Sequence, residues 1–128
     1  MLKTTCHYEE NMELPQAPDC VSVEDFFRIN IRVGTVLRAE TFPEAKKPAY
    51  KLWIDFGDLG VRQSSAQITQ LYQPEELVGR QIVAVVNFPP RKIAGFRSEV
   101  LVLGAATQDG TITLLAPDAY APDGERIH

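Results

Sequence analysis

The sequence has little of the chemistry that disulfide frameworks and metal centres require. It contains two cysteines and two histidines in 128 residues. Two cysteines do not make a disulfide framework, and we expect both to be free thiols. The spacing of these four residues matches no known zinc motif, so we predict no metal site. They are Cys6, His7, Cys20 and His128.

Long apolar runs are also missing. No run approaches the roughly 18 residues that span a bilayer. Residues 1–7 have no apolar core of a secretory signal. We therefore predict a cytoplasmic protein without membrane insertion.

A catalytic constellation is not apparent. His7 and His128 lie near opposite ends of the chain, which argues against a histidine-activated nucleophile. The chain has no Walker loop and no G-x-G-x-x-G motif. Its carboxylate pairs, at residues 24–25 and 75–76, stand at the starts of predicted helices, where capping explains them. We predict that the protein is not an enzyme.

The charge is unevenly distributed along the chain. The formal net charge of −4 argues against indiscriminate binding to nucleic acid. Residues 31–100 nevertheless hold ten Lys/Arg and seven Asp/Glu, so a mildly basic body separates two acidic ends. The length fits one domain with a single core.

Hydrophobic periodicity and capping residues predict two short helices and five to six strands. Residues 31–39 alternate, with Val33 and Leu37 on the apolar face, and Gly34 suggests either a β-bulge or a sharp coil of the strand. Asp109-Gly110 indicates a hairpin turn. The helices are expected at residues 21–29 and 74–79, and the strands at 30–40, 50–56, 61–68, 81–87, 100–105 and 111–115.

This order predicts an all-β protein with short helices. A helix between the third and fourth strands is typical of the OB-fold, a five-stranded Greek-key β-barrel, here with an N-terminal helical extension. A β-sandwich stays open on this reasoning. We place the extension at residues 1–20 and the domain at residues 21–128. The stretch after residue 115 is expected to be irregular.

Residues 87–99 combine cations and aromatic rings between two apolar strands. The cations could contact phosphates, and Phe88 or Phe96 could stack on a base. The alternative is a solvated loop whose rings plug the end of the barrel. Trp53 points away from the apolar face of its strand and is either a ligand platform or a subunit contact.

The segment Asn87-Phe88-Pro89-Pro90-Arg91-Lys92-Ile93-Ala94-Gly95-Phe96-Arg97-Ser98-Glu99 resembles a signature of the tRNA-binding OB-domain family. Residues 32–36 and 75–80 also resemble that family, and the resemblance covers residues 25–115. It implies the OB-fold and a surface for tRNA. The chain departs from the family at residues 66–67 and 100–101.

Residues 47–52, 64–69 and 87–96 resemble one branch of the family, the bacterial protein-secretion chaperones. This resemblance implies a cytoplasmic homodimer that binds unfolded or precursor polypeptides and needs no cofactor. The expected peptide- or tRNA-binding residues lie on the second and third strands and in residues 87–99. They are Trp53, Ser64, Ser65, Gln67, Asn87, Phe88, Pro90, Arg91, Lys92, Phe96, Arg97, Ser98 and Glu99.

Two other functions remain open. One is a tRNA-binding module, with a basic stripe through Lys51, Arg62 and the cations of residues 91–97. The other is a dimer that docks onto the secretion motor through acidic residues such as Glu9, Glu10 and Glu13.

Overall fold

The computed structural model describes residues 19–128, and within them an eleven-residue strand, β1, organises the sheet. The helices are α1 (Val23–Arg28) and α2 (Pro74–Leu77), with a 3-10 turn at Gly57–Leu59. The strands are β1 (Ile31–Thr41), β2 (Tyr50–Asp55), β3 (Val61–Ala66), β4 (Gln81–Val85), β5 (Arg91–Ile93), β6 (Phe96–Ser98), β7 (Leu101–Val102), β8 (Gly104–Ala106) and β9 (Ile112–Leu114).

Five antiparallel strands form a curved sheet in the order β3-β2-β1-β4-β7. The first half of β1 pairs with β4 and the second half with β2, so one strand links both sides of the sheet. The outer edges then approach each other, since the Glu99 amide donates to the Gln63 carbonyl at 2.8 Å. The result is a nearly closed barrel, which confirms the predicted OB-like fold.

Strand β2 supplies the centre of the core, as its alternation predicts. Leu52, Ile54 and Phe56 are fully buried, and Leu77 of α2 belongs to the same cluster. Burying three such side chains contributes roughly 5–9 kcal/mol to the free energy of folding before entropic costs. Strand β4 is buried on both faces from Ile82 to Val85, which agrees with its continuous apolar run.

Both predicted helices form, and each begins directly after its N-capping residue. The Ser22 hydroxyl accepts a hydrogen bond from the Asp25 amide at 2.9 Å. Pro74 opens α2, and Gln73 and Glu76 form a capping box. Capping is a local interaction, and the boundaries of both helices are therefore predictable from short sequence motifs.

The predicted bulge at Gly34 is wrong, because the irregularity of β1 falls between Val36 and Arg38. It turns Leu37 outward, 48% exposed, so the apolar face predicted for this residue is also wrong. Gly34 has a packing role instead. A Cβ there would lie 2.6 Å from Cγ2 of Ile54 and 2.8 Å from the Phe56 ring.

The single buried strand predicted at residues 100–105 is also wrong. The structure divides it into β7 and β8, and Leu101 is 49% exposed. The chain leaves the barrel at Gly104, where a Cβ would lie 2.7 Å from Cγ2 of Ile112. Only glycine allows this close approach, and β8 then pairs with β9 around the predicted Asp109-Gly110 turn. Hydrogen bonds from Thr107 and Thr111 lower the pKa of Asp109 in that turn.

Residues 91–98 form a β-hairpin where a loop was expected. Strands β5 and β6 pair from Arg91 opposite Ser98 to Ile93 opposite Phe96. The two turn residues, Ala94 and Gly95, have φ values of 47° and 82°. Two consecutive left-handed residues are typical of the tight turn that matches strand twist.

The last residues are irregular, as predicted, and they lie along β1. The Gly124 amide donates to the Val33 carbonyl at 2.7 Å, and the Ile127 amide donates to the Ile31 carbonyl at 2.9 Å. Cys20 is in a disulfide, so the expectation of a free thiol is wrong for that residue. Among residues 19–128, none of the helices has the length and apolar character needed to cross a bilayer.

Candidate functional site

An open groove of about 450 Å³ lies between the end of β3, the β5–β6 hairpin and strands β7 to β9. This volume falls in the range of ordinary ligand sites. Its floor is apolar and comes mainly from residues far apart in sequence, which are Ile68, Ile93, Leu101, Val102, Leu103, Ile112 and Leu114. The groove also brings together six of the predicted binding residues, Ser65, Gln67, Phe88, Arg91, Ser98 and Glu99.

Side chains from residues 98 and 99 hold the edge of β3 beside this groove. The Ser65 amide donates to Oγ of Ser98 at 3.0 Å, and the Gln63 amide donates to Oε1 of Glu99 at 3.0 Å. Together with the backbone hydrogen bond from the Glu99 amide to the Gln63 carbonyl, they join this edge to the segment after the hairpin. Gln67 follows two residues after Ser65, is exposed and lines the groove, so the groove opens where this side-chain pairing ends.

Two of the predicted serines are structural. Ser64 is fully buried, and its hydroxyl donates to the Val100 carbonyl at 2.9 Å. Ser98 is 9% exposed, and its Oγ lies 3.5 Å from Oγ of Ser64. Their hydroxyls join β3 to the segment after the hairpin, so Ser64 and Ser98 position the groove wall.

Asn87 joins helix α1 to the start of the hairpin. Its Oδ1 accepts from the Asn30 amide at 2.8 Å, and its Nδ2 donates to the Arg28 carbonyl at 2.9 Å. Phe88 follows directly and is 45% exposed at the groove. Asn87 is therefore a positioning residue for Phe88. Pro90 is exposed, and its neighbour Pro89 lines the groove instead.

Trp53 and Phe96 belong to a second surface, on the outer face of β2. Their rings meet edge to face at 5.9 Å, and Phe96 meets Phe42 in the same way at 5.5 Å. The guanidinium of Arg38 lies 4.4 Å from the Trp53 ring centroid. The ammonium of Lys51 lies 4.8 Å from the Phe42 ring and 5.2 Å from the Phe96 ring. This aromatic cluster fastens the hairpin to the barrel.

The hairpin carries the cations that the sequence singled out. Arg91, Lys92 and Arg97 are all exposed, and Lys92 stands directly opposite Arg97. Like charges placed opposite each other in a hairpin are unfavourable. Glu99 offsets part of this repulsion, with Oε2 3.7 Å from Nε of Arg97. The hairpin therefore presents a positive surface beside the groove.

Sequence reasoning missed the groove floor and most of the aromatic cluster. Residues 112 and 114 reach the groove only because the β8–β9 hairpin folds back, which no local pattern indicates. The period of β2 places Lys51 beside Trp53, so that neighbour could have been found. The acidic residues Glu9, Glu10 and Glu13 lie outside the described residues, as does most of the predicted extension.

Comparisons with known proteins agree with this architecture. Residues 31–126 match the family described as "Putative tRNA binding domain". The structure is similar to a chaperone CsaA from Bacillus anthracis, with a TM-score of 0.81 and 55% identity, covering 85% of this chain and 99% of that one. A CsaA chaperone from Picrophilus torridus matches with a TM-score of 0.80 and 53% identity, covering 85% of this chain and all of that one.

A methionine–tRNA ligase from Porphyromonas gingivalis is 42% identical over 113 residues, which are 88% of this chain and 16% of the ligase. The chain thus spans about a sixth of the length of such curated relatives. A MetRS-related protein from Pyrococcus horikoshii has a TM-score of 0.76 and 33% identity, with 85% of this chain and 98% of that one covered. The chain belongs to the tRNA-binding domain family.

Proposed function

We propose that the protein is a chaperone that binds unfolded or precursor polypeptides for export, in the cytoplasm and as a homodimer. The observation that carries this proposal is the groove, whose apolar floor lies beside the open end of the β3 edge. The two CsaA chaperones, matched over nearly their whole length at more than half identity, support it.

The groove suits a chain in extended conformation. An extended polypeptide can add its backbone to an exposed strand edge, while every second side chain enters a pocket. Here the edge beyond Ser65 supplies backbone groups, and the floor around Leu101 and Ile112 receives apolar side chains. Backbone pairing is independent of sequence, so this arrangement favours broad specificity for apolar segments.

Helix α1 supports the homodimer part of the proposal. It has six residues and buries none of them against the rest of the described chain. Val23 is 67% exposed, and Phe26 and Phe27 are 38% and 39% exposed. Exposed aromatic residues on one short helix are typical of a surface that another subunit covers. Sedimentation equilibrium tests this, because Phe27→Ser is expected to shift the protein toward monomer.

A pair of leucines tests the groove. Leu101 lines the groove and is 49% exposed, whereas Leu37 lies outside it and is 48% exposed. Burial of the remaining Leu101 surface by a client is worth about 1 kcal/mol, or about five-fold in affinity. Leu101→Gln should weaken binding of a labelled unfolded polypeptide by about that factor, while Leu37→Gln should not. Equal effects of the two substitutions would contradict the proposal.

The exposed hairpin cations favour a second candidate, binding of tRNA. Phosphate contacts make affinity fall steeply with salt, whereas apolar burial does not. We expect the polypeptide to remain bound when salt rises from about 0.05 to 0.2 M and the weaker tRNA complex to dissociate. Tight tRNA binding without any polypeptide signal would reverse this ranking.

A further inference from the structure

Arg91 holds an unusual position among the groove residues. Among the described residues, it and Glu99 are the two charged members of the groove lining. Glu99 is engaged, because its Oε1 accepts from the Gln63 amide and its Oε2 lies 3.7 Å from Arg97. Within residues 19–128, the salt bridges and side-chain hydrogen bonds of the structure do not include the Arg91 guanidinium, which is exposed.

We propose that Arg91 selects clients by pairing with a carboxylate on the bound segment, so that the groove prefers an extended apolar segment that carries a negative charge. This inference rests on the proposed polypeptide-binding function. The carboxylate can come from an aspartate or glutamate side chain or from the end of a chain. A guanidinium fits a carboxylate through two parallel hydrogen bonds, which an ammonium cannot match.

The hairpin geometry sets Arg91 apart from the neighbouring cation. Successive residues of a strand point to opposite faces, and Arg91 and Ile93 line the groove whereas Lys92 does not. Phe88 and Pro89, which precede Arg91 in the chain, also line the groove and are apolar. A client that covers these residues lowers the local exposure to water, which strengthens the ion pair.

Four fluorescent peptides with one shared apolar core test the proposal by anisotropy. The first is neutral and amidated, the second adds one internal glutamate, the third has a free C-terminal carboxylate, and the fourth adds one internal lysine. At about 0.05 M salt, a carboxylate should lower the Kd about three- to five-fold relative to the neutral peptide, as expected of a partly exposed ion pair. The lysine peptide should bind more weakly than the neutral one.

Arg91→Gln should make the four Kd values converge, and Arg91→Lys should retain only part of the preference. The control is Lys47→Gln, which removes the same charge from an exposed position in the β1–β2 loop and should leave the preference intact. If the glutamate peptide gains affinity, the groove recognises a side-chain carboxylate. If the peptide with the free C-terminus gains affinity, the groove recognises the end of a chain.

Survival of the preference in Arg91→Gln would overturn the proposal. An equal loss of the carboxylate preference in Lys47→Gln would also overturn it. That result would mean that the preference comes from the electrostatic field of the whole protein and not from Arg91. Arg91→Gln that weakens tRNA binding and leaves the peptide preference unchanged would assign this residue to RNA. If none of the four peptides binds, the proposed function itself fails, which distinguishes the two failures.

Discussion

Removal of the Ser98 hydroxyl tests the way the structure holds the groove open. Oγ of Ser98 accepts the Ser65 amide at 3.0 Å at a site where Ser98 is only 9% exposed. Ser98→Ala leaves that amide without its acceptor. This bond is partly buried, and its loss should lower the free energy of unfolding by about 1 kcal/mol. For a domain of this size, the midpoint of thermal unfolding should fall by about 4 °C for each kcal/mol.

Ser65→Ala is the matched control. Ser65 donates this hydrogen bond through its backbone amide, so the substitution leaves the bond intact. Urea unfolding followed by tryptophan fluorescence measures both variants, since Trp53 contacts the hairpin through Phe96. We expect Ser65→Ala to stay within about 0.5 kcal/mol of the parent protein. Equal stabilities for Ser98→Ala and the parent would show that this side chain does not secure the edge of β3.

Three further changes have expected outcomes. Ala94→Gly should raise the free energy of unfolding by about 0.5–1 kcal/mol in urea, because Ala94 has a φ of 47° that glycine adopts without strain; a loss of stability would contradict this. Gly34→Ala should lower stability by at least about 2 kcal/mol in the same assay, since its Cβ would lie 2.6 Å from Ile54, and a neutral result would contradict the packing role. Burial raises the pKa of Tyr50, with Glu75 and Glu76 adding to the shift. The stability that Tyr50 contributes should therefore be complete below about pH 10 and be lost as pH rises through the folded-state pKa, a dependence that Tyr50→Phe should reduce when unfolding is measured across alkaline pH.

Local patterns explain why much of the fold could be predicted. Strand β2 alternates over its whole length, and both helices begin with their own capping residues. The bulge near Leu37 has no such signal, since it depends on how β1 pairs with two different partners. The turn at Ala94 was missed because alanine is an uncommon residue at a left-handed position, where asparagine or glycine is expected.

Part of the candidate site could also be predicted from a local feature of the sequence. The segment 87–99 stood out by composition, and its side chains do border the groove. Ser64 and Ser98 were grouped with the binding residues, yet their hydroxyls are used inside the barrel. A polar residue can face either a ligand or a neighbouring strand. Here the choice depends on tertiary contacts between residues more than thirty positions apart, and a single sequence does not show such contacts.

Polypeptide binding in the groove is tested by mapping where an unfolded polypeptide contacts the protein. Amide NMR shifts of the 15N-labelled protein, recorded during titration with an unlabelled apolar segment, report on every described strand. We expect shifts concentrated at Gln67, Leu101 and Ile112, which line the groove. Shifts confined to Trp53 and Lys92, with the groove unchanged, would contradict it.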